Sequence, residues 1–91
     1  FCAKGEGGRF VADGNLISGI GKLPFNTDGG GLCNNHPTNR GGITKVIEAV
    51  RQLRGECGER QIADCHTALA HGNGGTLSSQ ATAILGTAAT L

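Results

Sequence analysis

Tryptophan, tyrosine and methionine are absent, and three phenylalanines are the only aromatic residues. A core without large rings buries little apolar area, and a chain of 91 residues hides only about 60 to 65 per cent of its unfolded surface. One domain is the ceiling, and its stability alone is expected to be marginal. An excess of charge of one sign is missing as well: eight Lys and Arg against seven Asp and Glu leave a net +1. With no basic stripe and no polybasic patch, binding to a nucleic-acid backbone or to an anionic membrane surface is not expected. No apolar run approaches the roughly 20 residues of a membrane span, and no charged-then-apolar leader is present. The four cysteines, Cys2, Cys33, Cys57 and Cys65, show no Cys-x-x-Cys spacing, and there is no Asn-x-Ser/Thr acceptor. Reduced thiols and a cytoplasmic location are expected. The chain opens on Phe1 inside a polar, Gly-rich run, which reads as a fragment or processed piece of a longer polypeptide.

Glycine, by contrast, is abundant, with 17 residues. It concentrates in Asn26-Thr-Asp-Gly-Gly-Gly-Leu-Cys-Asn-Asn-His36-Pro37-Thr-Asn-Arg-Gly-Gly42. This loop lets backbone approach a ligand closely and delivers one histidine to the start of a helix, where free N–H groups and a positive dipole end favour developing negative charge. Before it, Arg9-Phe10-Val11, Asp13-Gly14 and Leu16-Ile17 predict a hairpin over residues 9–17, since Asp-Gly suits a tight turn. Leu23-Pro24-Phe25 predicts a short strand entering the loop.

From Gly42, Ile43, Val46, Ile47, Val50 and Leu53 share one face of a predicted helix over 42–54, while Lys45, Glu48, Arg51 and Gln52 take the other. Gly55 is the stop. Residues 65–86 predict a strand pair: Cys65 to His71, a break at Gly72-Asn73-Gly74-Gly75, then Gln80 to Leu85. The sum is an α/β piece with a terminal antiparallel pair.

His36 and His71 each abut a glycine segment and could face one cleft. Imidazole suits proton transfer near neutral pH, and a helix N-terminus favours its neutral, basic form. A lone histidine usually satisfies a local turn; two in matching settings point to function. Other chemistry fits less well. Cys33, Cys65, His66 and the two histidines match no zinc spacing, so no metal site is expected. Gly19-Ile20-Gly21-Lys22 and Gly72-Asn73-Gly74-Gly75 lack phosphate-loop patterns. Cys33 and Cys65 read as packed residues, and Cys57 as part of a solvated turn.

The segment Asn26 to Gly42 resembles the carboxy-terminal signature of the thiolase family, Asn-x-x-Gly-Gly followed by Gly-His-Pro and a further Gly. The match runs through Asn26, Gly29, Gly30, Leu32, His36, Pro37 and Gly42. Val50-Arg51-Gln52-Leu53-Arg54-Gly55 is similar to the family's next helix. Ala70-His71-Gly72-Asn73-Gly74-Gly75 resembles the loop where many members carry Cys-x-Gly, and where sterol-carrier-type, bacterial and archaeal relatives carry His. The likeness covers nearly all of residues 1–91.

The resemblance implies part of the carboxy-terminal half of a layered αβαβα fold, and acyl transfer that makes or breaks a carbon–carbon bond in 3-oxoacyl-CoA. On this match His36 removes the proton from a cysteine thiol supplied by an amino-terminal thiolase half and joins an oxyanion hole. His71 replaces the second cysteine in moving a proton at the substrate's α-carbon. Backbone N–H groups of Gly72, Asn73 or Gly74 hold a second oxyanion, while Asn26, Gly29, Gly30, Pro37 and Gly42 shape the loop. Coenzyme A enters as substrate and no cofactor is implied.

Partners implied are the amino-terminal half, further copies in a homodimer or tetramer, and an OB-fold, zinc-ribbon protein such as some bacterial relatives use. The chain alone is expected to be inactive, because no stretch resembles the family's nucleophile motif or its Asn-Glu-Ala-Phe motif. Asn35, Asn39-Arg40 and Asn73 depart from the family's small residues. Alternatives are a catalytically silent lipid-binding or complex-assembly subunit, and a thiolase-like aldolase of sterol side-chain breakdown.

Overall fold

The computed structural model describes residues 1–34 and 36–91, so the Asn35 departure lies outside the described residues. Three helices, α1 (Gly7–Ala12), α2 (Gly30–Cys33) and α3 (Gly41–Arg54), precede two strands, β1 (Thr67–Gly74) and β2 (Ser79–Gly86). Short 3-10 turns occupy Thr38–Arg40, Gly58–Arg60 and Ala88–Thr90. The strands pair antiparallel from Thr67↔Gly86 to Gly74↔Ser79, and α3 packs across β1.

The hairpin expected over 9–17 does not form. Phe10 and Val11 lie inside α1, and the Asp13 and Gly14 N–H groups donate back to the Arg9 and Val11 carbonyls at 2.9 and 3.0 Å. Gly14, at φ +77°, ends a helical turn; the positive φ that fits a hairpin turn fits a helix end equally well. The Asn15 side chain then donates to the Phe10 carbonyl at 2.8 Å. Leu23–Phe25 is not a strand either. Its Leu23 and Phe25 N–H groups donate to the carbonyls of Asn15 and Leu16, and the pairing goes no further.

α3 runs close to its expected limits. Gly55, at φ +72°, closes it, with the Gly55 and Glu56 N–H groups donating to the Gln52 and Arg51 carbonyls. Which side it buries differs from the expectation. Glu48, Ala49 and Gln52 are buried, while Ile43 and Ile47 are 56% and 44% exposed. The cause is a polar cluster whose members are distant in sequence. The Arg60 guanidinium grips Glu48 through Nε (3.1 and 3.3 Å) and Nη2 (3.0 Å). Thr27 Oγ1 and Gln52 Nε2 donate to Glu48 Oε1 at 2.8 and 3.1 Å. Gln52 also donates to the Arg60 carbonyl and accepts from the Ile62 N–H, both at 2.9 Å. With its hydrogen bonds made, a buried carboxylate and amide are tolerated.

Burial alone pushes the Glu48 carboxyl up, but the bonds from Arg60, Thr27 and Gln52 and the Arg60 charge outweigh it and hold the pKa at about 2. Cys57, expected in a solvated turn, is only 3% exposed against this cluster. Burial first, and then the Glu48 charge, pushes its thiol up. Cys33, expected to pack, is exposed.

Strand alternation places Ala68, Ala70 and Gly72 on the face turned to α3, with Ala70 buried. Leu69, His71 and Asn73 take the other face.

Candidate functional site

At the N-terminal end of α3 an open cleft of about 680 Å³ is lined by both His36 and His71. The two arrive by different routes. His36 follows α2 and precedes Pro37, whose extended backbone (φ −77°, ψ 106°) turns the chain into Thr38–Arg40 and then α3. Its imidazole lies against two glycines. A methyl carbon on Gly41 would stand 3.2 Å from Cδ2 and Nε2, and one on Gly31 would stand 3.4 Å from Cδ2. A side chain at Gly41 would displace the ring. Gly31 and Gly41 were not singled out in the sequence, although a glycine one helical turn before Lys45, directly at the helix start, was the available signal.

His71 lies in β1 opposite Thr82, and its Nδ1 shares a 2.8 Å hydrogen bond with Thr82 Oγ1. That bond fixes the ring's orientation on the strand face turned away from α3, while His71 itself borders the cleft. The two segments meet where a methyl carbon on Gly72 would stand 3.6 Å from Gly42 Cα. Gly72 thus faces the start of α3 with room for no more than a small side chain between them, and the two histidine-bearing stretches border one space.

The expected glycine break at Gly72-Asn73-Gly74 is instead paired strand, and the turn begins only at Gly75. This narrows the three expected oxyanion donors. The Thr87 N–H donates to the His66 carbonyl at 3.0 Å. These residues extend the register of the strand pair, so antiparallel alternation assigns the hydrogen-bonded positions to residues 68, 70, 72 and 74. The Gly72 and Gly74 N–H groups are thereby directed to β2. Those of His71 and Asn73 point to the free edge of β1.

Among the loop residues, Asn26 (φ +49°) folds its amide over Gly30, where a Cβ would collide with it. Gly29 (φ +96°) starts α2, and Asp28 Oδ1 accepts the Gly30 N–H at 2.9 Å. Asn26, Gly29, Gly30 and Pro37 stand outside the cleft lining, whereas Gly42 is in it. Thr38, a β-branched residue at φ +54°, also lines the cleft. Strain of this kind in a non-glycine residue marks a conformation that its surroundings impose. Asn39, Asn73 and Lys45 complete the polar wall; Arg40 is absent from it. Among the described residues no group of three or more His, Cys, Asp or Glu is gathered in metal-ligand fashion. Nor is any helix among the described residues long and apolar enough to cross a membrane.

What this arrangement offers is two imidazoles able to take or give protons, a helix start and a free strand edge with N–H groups for an oxyanion, and no thiol in the described lining. Residues 1–87 match the thiolase C-terminal domain-like family. The chain is 42% identical over 76 residues to an acetyl-CoA acetyltransferase of Methanothermobacter thermautotrophicus, covering 84% of this chain and 20% of that protein. It is 36% identical over 75 residues to the benzoylsuccinyl-CoA thiolase subunit BbsB of Thauera aromatica, covering 81% and 19%. Against a steroid side-chain-cleaving aldolase of Thermomonospora curvata it is 51% identical over 55 residues, covering 60% and 13%. The chain thus spans a fifth or less of the length of these relatives. With its signature loop, mixed α/β fold and paired histidines, the chain belongs to the thiolase family as a C-terminal domain-like segment.

Proposed function

We propose that this chain supplies the proton-transfer half of an active site that makes or breaks a carbon–carbon bond beside the thioester carbonyl of an acyl-CoA. The observation that carries the proposal is the sharing of one cleft by His36 and His71, delivered by separate elements to the start of α3. A thiol is only a few per cent thiolate at neutral pH, so a cysteine nucleophile gains from a neighbouring base.

His36, held between glycines, takes that proton from a cysteine carried by the amino-terminal thiolase half. The thiolate attacks the 3-oxo carbon of the substrate, the carbon–carbon bond breaks, and the acyl group stays on sulfur. His71 gives a proton to the α-carbon of the departing acetyl-CoA enolate. The N–H groups of His71 and Asn73 hold the enolate oxygen, each donor contributing about 3 kcal/mol in comparable sites. A second coenzyme A thiol then releases the acyl group. Acetyl-CoA acetyltransferase and thiolase activities named for two relatives support this reading.

The isolated chain is expected to give no thiolysis of acetoacetyl-CoA, and turnover by it would refute the dependence on a second half. In the complete gene product H36A lowers kcat by about 10²- to 10⁴-fold. A smaller loss than tenfold removes His36 as the base.

A second reading is favoured by the 51% identity over 55 residues to the steroid side-chain-cleaving aldolase. In a retro-aldol cleavage a histidine takes the β-hydroxyl proton, the bond to the α-carbon breaks to give a ketone or aldehyde, and the enolate is protonated. No covalent acyl-enzyme arises. Mass spectrometry of the complete protein mixed with acetoacetyl-CoA separates the two: an acetyl adduct supports the thiolase, and its absence together with cleavage of a β-hydroxyacyl-CoA supports the aldolase. Failure of both reactions would leave the silent binding subunit.

A further inference from the structure

We propose that Lys45 and Asp28 form a positioning pair that sets the His36 imidazole, a role that rests on the reading of His36 as the base. Lys45 lies one turn beyond Gly41 on the same side of α3 and lines the same cleft. Its Nζ is shut off from solvent and, among the described residues, has no hydrogen-bond partner. The nearest carboxylate oxygen is Asp28 Oδ2 at 3.9 Å. The Asp28 side chain is 7% exposed, and its other oxygen accepts the Gly30 N–H at 2.9 Å.

The pair therefore links α3 to the first residue of α2, and Gly31, the next residue, forms one wall of the His36 ring. Gly41, four residues before Lys45, forms the other. The imidazole hydrogen bonds among the described residues belong to His66 and His71. His36 is oriented by these two walls, and the spacing between them is what the Asp28–Lys45 link sets.

The geometry suits positioning better than stabilisation. Two charges withdrawn from water but separated by 3.9 Å, with no direct hydrogen bond, recover little of their desolvation cost. A second tie, Thr27 Oγ1 to Glu48 Oε1 at 2.8 Å, joins the same loop to α3 one turn further along. Loss of the ion pair would leave the loop attached there and free to tilt away from His36.

The test uses the complete gene product carrying the charge-neutral pair D28N/K45M. Thiolysis of acetoacetyl-CoA is expected to lose about 10- to 100-fold in kcat with KM within about threefold, because a displacement near 1 Å is enough for such a loss. K45R, which can still reach Asp28, recovers most of it. Independently of activity, peptide mass spectrometry after brief diethylpyrocarbonate treatment should show the His36-to-His66 modification ratio rising by about threefold as one ring face is freed. Should the double variant fail to fold, K45Q alone is read in the same way. An unchanged ratio overturns the clamp whatever the activity does. If the ratio moves while H36A retains full turnover, the clamp stands and the reading of His36 as base falls.

Discussion

The two long sides of α3 present chemistry opposite to that of most surface helices. One side buries Glu48 and Gln52 and, through Thr27, Asp28 and Lys45, braces the loop that carries His36. The other leaves Ile43 and Ile47 roughly half exposed. Fully buried hydrophobic residues amount to Ala49, Cys57 and Ala70, so the polar network around Glu48 adds to the packing of α3 on β1 in holding the helix to its own chain. Exposed area agrees: 6695 Å², against about 4,900 Å² for a compact monomer of this mass. The polar side braces the loop that bears His36, and the apolar side leaves Ile43 and Ile47 open.

The sharpest way to break this contrast is E48A. Arg60 is 42% exposed and can turn to water, so the loss comes from the acceptor that the Thr27 hydroxyl and the Gln52 amide no longer have, about 2 to 3 kcal/mol in a urea denaturation of the complete protein. A cost below about 0.5 kcal/mol would mean that the network is not what holds α3. Next in size is I47S. If the apolar side is covered in the complete protein, the loss should be about 1.5 to 3 kcal/mol; a neutral outcome would mean that this side stays in water.

Acid sensitivity follows from the lowered carboxyl of Glu48. Its pKa falls from 4.5 to about 2 on folding, so the stability it contributes is complete above about pH 4.5 and is lost as the pH drops toward 2. E48Q should flatten that limb of a pH-dependent melt, and an identical limb would assign it to other groups. The smallest effect is chemical. Cys57, buried with its thiol pushed up by burial, should react with iodoacetamide more slowly than exposed Cys2 and Cys33. Equal rates would show the cluster open in solution.

Much of the site was legible in the sequence because it depends on local chemistry. The glycine run, the His-Pro step and Gly55 specify a turn, a helix start and a helix stop within a few residues of themselves. Helix limits and the strand pair follow from such signals. The buried side of α3 was hidden for the converse reason: the acceptance of Glu48 inside needs Thr27, 21 residues before it, and Arg60, 12 after it. Apolar periodicity reports a side to be buried, and here the described residues half-cover Val46, Val50 and Leu53 and leave Ile43 and Ile47 open. The hairpin at 9–17 failed because Asp13-Gly14 serves two turn types alike and no neighbouring strand arbitrates. At Gly72-Asn73-Gly74, residues that punctuate most sequences are kept in a strand by pairing with Ser79 to Ala81.

The placing of Gly72 opposite Gly42 has a consequence for how such a cleft can change. A methyl group added at Gly72 would stand in ordinary contact with Gly42, 3.6 Å from its Cα, so the joint between the two histidine-bearing stretches does not run through the polar rim of the cleft. Substitutions at Thr38, Asn39 or Asn73 can then reshape the rim and leave the reacting groups in place. The shape of the cleft and the position of its histidines are free to drift apart, and the rim can be rewritten without rebuilding the joint.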